Sequence, residues 1–105
     1  MAATLFSIQM DFNKAKAQAS QLEQIASGIE RLAKNDMENC MAGVSANWKG
    51  DSASLYVKKG RQLAQEMKKS AAELRKVAST IRKVAQNTYN AERSAILTAK
   101  TRTYR

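Results

Sequence analysis

No histidine occurs in the 105 residues, and Cys40 is the only cysteine. Histidine is the commonest general base and metal ligand near neutral pH, so proton-transfer and metal chemistry lose their usual residue. One thiolate cannot build a zinc site, which takes several Cys or His ligands, and it cannot close an intrachain disulfide. The carboxylates show no cluster at metal-ligand spacing. Glu66 and Glu73 stand seven residues apart, two turns along a helix, and read as solvated partners of Lys69 and nearby cations. No Gly-rich phosphate loop and no Gly-x-Ser-x-Gly turn is present. The expectation is a non-enzymatic protein with no cofactor and no metal. Cys40 has two readings, a redox-sensing or intermolecular thiol and a small apolar residue in a helical stripe.

The remaining chemistry is electrostatic and apolar. The chain carries 18 Lys+Arg against 9 Asp+Glu, a net charge of +9. Residues 1–50 hold five of each sign, whereas residues 51–105 hold thirteen cations and four acids, 13 − 4 = +9. Lys58-Lys59, Lys68-Lys69, Arg75-Lys76 and Arg82-Lys83 fall ten, seven and seven residues apart. Sevens return to nearly the same helix face, which gives a basic stripe beside the apolar one. Such a stripe suits an acidic protein, phosphates or an anionic membrane, or is simply a solvated face. Aromatic residues make up 6% of the chain and none interleaves with these pairs. Nucleic-acid readers usually supply stacking aromatics, so nucleic acid is the disfavoured partner.

These side chains need long helices to carry them. Proline is absent and glycine occurs four times, too few for the tight turns of a small β domain. In the first half, apolar positions recur at Phe12, Ala15, Ala19, Leu22, Ile25/Ala26, Ile29, Leu32/Ala33, Met37, Cys40/Met41 and Val44. These steps of three and four predict a helix over about 9–43 after a loose lead-in over 1–8. Turn residues then gather over Gly43–Ser52, including Asn47-Trp48-Lys49-Gly50, and place a bend at about 44–51. Tyr56, Leu63, Met67, Ser70, Leu74, Val77, Ile81, Val84, Thr88, Ala91 and Ala95 make a heptad-like seam over about 52–95. Gly60 on that seam leaves room for close approach of another helix. Residues 96–105 have no stripe and are expected to form a flexible tail.

The predicted fold is all-α, one antiparallel two-helix hairpin over 1–105. An arm of about 35 residues is roughly 50 Å long at ~1.5 Å per residue. Each helix of such a rod has one neighbour, so part of each stripe stays bare. The geometry therefore predicts a dimer, most simply a four-helix bundle of two hairpins. Leu22, Ile29, Leu63, Met67, Leu74, Val77, Ile81 and Val84 are the candidate dimer seam. No apolar run approaches the ~18–20 residues of a transmembrane helix. Residues 1–10 lack a cationic n-region and an apolar h-region, so no conventional signal peptide is expected.

The central Trp48-Lys49-Gly50 between two amphipathic helices, in about a hundred residues, resembles the Trp-X-Gly (WXG) family of small type VII (ESX-like) secretion proteins. The resemblance covers nearly the whole chain in architecture. It implies a bacterial protein that pairs antiparallel with another helical hairpin, as a homodimer or heterodimer, or with a domain of a larger secreted toxin. It implies a cytoplasmic protein secreted without a cleaved signal peptide, through a channel driven by a membrane ATPase. In that family the Trp-X-Gly turn lies near the partner's tail, and together they form a recognition site for the secretion ATPase. The tails often carry Tyr-x-x-x-Asp/Glu. Here the nearest match is Tyr89-Asn90-Ala91-Glu92, with the acid three residues after the tyrosine and Arg93 at the fourth position. Tyr89 and Glu92 are thus the candidate tail signal, off-pattern by one residue. A different class of function also fits the charge, a basic coiled coil that binds nucleic acid or anionic membrane.

Overall fold

The computed structural model describes residues 4–103. Thr4 and Ser7 start the first helix by a reciprocal cap. The Thr4 N–H donates to Ser7 Oγ at 2.9 Å, and the Ser7 N–H donates to Thr4 Oγ1 at 3.0 Å. This is the capping-box arrangement with serine in the place usually held by Glu or Gln. Helix α1 accordingly begins at Leu5 and runs to Arg31, so residues 5–8 of the expected lead-in are helical. A π turn follows over Leu32–Met37, and α2 spans Glu38–Asn47. Gly43 lies inside α2 and ends nothing. Three residues later the chain re-enters helix as α3, Asp51–Thr103. The part of the expected tail from 96 to 103 is therefore helical, while Tyr104 and Arg105 lie outside the described residues, as do Met1–Ala3. The described residues contain no strand, and the fold is an all-α two-helix hairpin.

The chain divides into two compact units, Glu23–Arg75 and a second made of Met1–Leu22 with Lys76–Arg105. In the first, the bend joins two antiparallel arms. Its buried side chains are mostly small: Ala26, Ala33 and Met41 from the first arm, and Ala53, Val57, Ala64 and Ala71 from α3. In the second, Ile8, Ala19 and Ala78 are buried. Ala26, Ala33, Ala71 and Ala78 are each 0% exposed. A methyl group in contact lets helix axes approach toward the short end of the usual ~8–10 Å range.

The α3 seam is offset from the row of large residues. The fully or half-buried positions run 53, 57, 60, 64, 67, 71, 74, 78, 81, 85, 89, 92 and 96, with Arg82 half-buried beside them. Of the candidate dimer seam, Leu22, Ile29, Met67, Leu74 and Ile81 are half-buried, whereas Leu63, Val77 and Val84 are exposed. Ile96 continues the 3-4 steps, which explains why α3 outlasts residue 95.

The π turn shifts the first arm by one position. Ala19, Ala26 and Ala33 repeat every seven residues, but the next fully buried residue, Met41, follows Ala33 by eight. A π turn bonds i to i+5 and absorbs the extra residue. Cys40, which an unbroken heptad would bury, is exposed. That leaves the thiol outside the stripe.

Arg75 ties the arms of the Glu23–Arg75 unit on one side. Its guanidinium pairs with Glu30, with Nε donating at 3.0 Å, and its Nη2 donates to Ser27 Oγ at 2.9 Å. In the other unit the Arg82 Nη2 donates to Ser20 Oγ at 2.9 Å. Arg61, Lys68, Arg75 and Arg82 are seven apart, so they form one row beside the alanine seam. Leu63, Val77 and Val84 form another seven-spaced row on the seam's opposite flank, by the ~100° per residue of an α-helix.

Candidate functional site

The bend is made by three residues of different kinds. Asn47 closes α2 with its Nδ2–H donating to the Gly43 carbonyl, one turn back, at 2.9 Å. Trp48 turns the chain out of helix at φ −109°, ψ 140°, with its N–H still bonded to the Val44 carbonyl at 2.8 Å. Gly50 has φ +107°, and among the described residues it is the only one with a positive φ. An L side chain there would clash with its own backbone, so glycine is demanded by conformation. Its carbonyl accepts the Ser54 N–H at 3.2 Å, which opens α3. Asp51 then occupies the first turn, where a carboxylate is favoured by the helix dipole.

Trp48 does not disappear into a core. Its indole lies against Tyr56, ring centroids 5.9 Å apart and 37° tilted, and remains 58% exposed. Trp48 lines an open groove of about 630 Å³. Ala53 and Val57 are its buried apolar residues, and Lys49, Lys58 and Arg61 bring three cations to it. Ser54, Lys58, Arg61 and Gln65 line it at steps of four, three and four, one face of α3. No Asp or Glu is among its lining residues. Lys58 stands out in the sequence as half of a basic pair. Arg61 and its link to the bend do not, although the 54/58/61/65 spacing was available.

A second groove, about 460 Å³, opens beside the same unit's alanine seam and is apolar. Met37, Met41, Leu55, Tyr56, Gly60 and Leu63 line it. Met41 packs onto Gly60, where an added methyl would overlap the thioether. The close approach expected at Gly60 is thus made by the opposite arm of the hairpin.

Tyr89 and Glu92 belong to the other unit, and there they share a third groove with Ile8, Phe12, Ile81 and Val84. Tyr89 is half-buried against Phe12, centroids 4.8 Å apart. The Lys16 ammonium sits 4.4 Å from the Phe12 ring centroid, a cation–π contact. Tyr89 therefore already has an intrachain packing role.

The described residues hold no group of three or more metal-ligating side chains. None of the described helices is long and apolar enough to cross a membrane. What the surface offers is docking chemistry: an exposed indole beside cations, and exposed rows of large apolar residues. The family model WXG100, described as proteins of 100 residues with WXG, matches residues 7–93. No curated protein matches the chain, and no solved structure does.

Proposed function

The chain belongs to the WXG100 family, and on that premise we propose that it is a small type VII secretion substrate or secretion-targeting partner. It works by pairing with another helical hairpin, in a homodimer or heterodimer, to give a four-helix bundle, or with a helical domain of a larger secreted toxin. The observation that carries this reading is the family match over residues 7–93, which spans both arms and the Trp48-Lys49-Gly50 bend. The exposed apolar row of Leu63, Val77 and Val84, with Ile25 exposed on α1 and Leu32 exposed in the π turn, supports the pairing. One hairpin alone leaves these side chains in water, and a partner hairpin would cover them. Leu22, Ile29, Met67, Leu74 and Ile81 lie half-covered at the margin of the same seam. The bend of one chain with the tail element of its partner, Tyr89 and Glu92 where the partner is a second copy, is the proposed contact for the secretion ATPase. Export proceeds from the cytoplasm without a cleaved signal peptide.

The test is release into culture medium from a bacterium with a type VII system, with and without its ATPase. The wild-type chain is expected in the medium only when the ATPase is present, and Trp48→Ala is expected to stay in the cells while remaining helical by circular dichroism. Retention of the wild type in both strains, or release indifferent to the ATPase, overturns the proposal.

A further inference from the structure

The groove beside Trp48 collects three cations and no acid. Lys49, Lys58 and Arg61 are all exposed, and none has an ion-pair or hydrogen-bond partner among the described residues. Arg75 and Arg82, one and two turns of the heptad beyond Lys68 in the same row, are engaged by Glu30, Ser27 and Ser20. Arg75 and Arg82 are thus bonded, whereas Arg61 at the bend and Lys68 one heptad on carry no such partner among the described residues. Beside the open cations lies an indole 58% exposed, with Ala53 and Val57 as apolar lining. A guanidinium that can fork onto a carboxylate and two ammonium groups, next to an aromatic plate, form a receptor for an acidic peptide segment.

Residues 1–105 of a second copy supply no such segment. All nine of their acids lie in helices among the described residues. Residues 93–105 hold Arg93, Lys100, Arg102 and Arg105 and no acid, and would bring positive charge to a positive groove.

We propose that the Trp48–Lys58–Arg61 groove binds a carboxylate-bearing peptide segment of a different protein. This deepens the docking role proposed above by naming the partner's chemistry, and it fails separately from that role.

Trp48 is the only tryptophan, so its emission reports the groove directly. The probe is a synthetic (Asp-Glu)4 peptide titrated at low salt into wild type, Lys58→Gln/Arg61→Gln and Lys76→Gln/Lys83→Gln. Both double variants lose the same charge from exposed positions of α3, and circular dichroism checks that each stays helical. A saturable change in Trp48 emission is expected with wild type. Loss of two charged contacts at the groove is expected to weaken affinity about tenfold or more, and loss of the distant pair about twofold to threefold through the general field. Equal loss in the two variants, or no saturable change with wild type, overturns the proposal. So does equal affinity for a twelve-nucleotide single-stranded DNA or for phosphatidylglycerol vesicles, because either makes the groove a general polyanion surface. Trp48-dependent export with no peptide binding removes the acidic segment alone and leaves the secretion role standing.

Discussion

Gly43 and Gly50 are seven residues apart and answer to opposite constraints. Gly43 lies inside α2 with nothing within 4 Å of where a Cβ would stand. Gly50 is also uncrowded, but its φ of +107° is one that L side chains rarely adopt. Gly43→Ala is expected to stabilise the fold by about 0.5–1 kcal/mol, the usual gain for Ala over Gly in a helix. Gly50→Ala is expected to destabilise it by about 1–3 kcal/mol through backbone strain. Urea unfolding followed by circular dichroism checks both, and shifts of the same sign would contradict the assignment of the turn. At this scale the sequence was informative about Trp48 and Gly50, because a turn cluster between two long helices leaves few other places for the reversal. It was uninformative about Cys40. The residue's exposure depends on one inserted position in the π turn of Leu32–Met37, and hydrogen-bond slippage of that kind leaves no mark in apolar periodicity.

Elements were legible to the extent that their stripes were unique. On the first arm one stripe of 3-4 steps exists, and the buried or half-buried positions Phe12, Ala15, Ala19, Leu22, Ala26, Ile29, Ala33, Met37, Met41 and Val44 all belong to it. On α3 two apolar rows run in parallel, one of large residues through Tyr56, Leu63, Val77 and Val84, the other of small ones through Val57, Ala64, Ala71 and Ala78. Periodicity weights the larger side chains and cannot sense how closely two helices approach. The structure buries the small row and leaves the large one bare. Ala71→Leu would insert extra carbons where no space exists, and it is expected to lower stability by about 1–3 kcal/mol. Leu63→Ser, on the exposed row, is expected to change the stability of the isolated hairpin by less than about 0.5 kcal/mol. Thermal unfolding at low protein concentration separates the two. A larger loss at Leu63 than at Ala71 would mean that the arms pack in the other register.

For the molecule as a whole, charge decides whom it can pair with. A homodimer would carry 2 × (+9) = +18 from the formal charge of each chain. Self-repulsion of that size opposes association and is screened once the Debye length shrinks to ~3 Å near 1 M salt. Sedimentation of the pure protein is therefore expected to show association that strengthens between about 0.05 and 1 M salt. An acidic hairpin partner would give the opposite trend, with affinity falling as salt rises. Tight self-association that ignores salt would remove charge as the selector. Family membership was legible before any coordinates, because Trp48-Lys49-Gly50, chain length and two amphipathic arms fall together. The cation groove was not, since it needs Lys49, Lys58 and Arg61 to be gathered across the bend.

The three-residue bend also sets an order of events in time. Trp48 reaches Tyr56 across eight residues, whereas Ser27 meets Arg75 across 48 and Ser20 meets Arg82 across 62. Closing a loop costs entropy that rises as about (3/2)RT ln n, so the shortest closure is the cheapest to make first. By that argument the chain is expected to zip from Gly50 outward, and Gly50→Ala is expected to slow refolding more than it speeds unfolding in stopped-flow measurements.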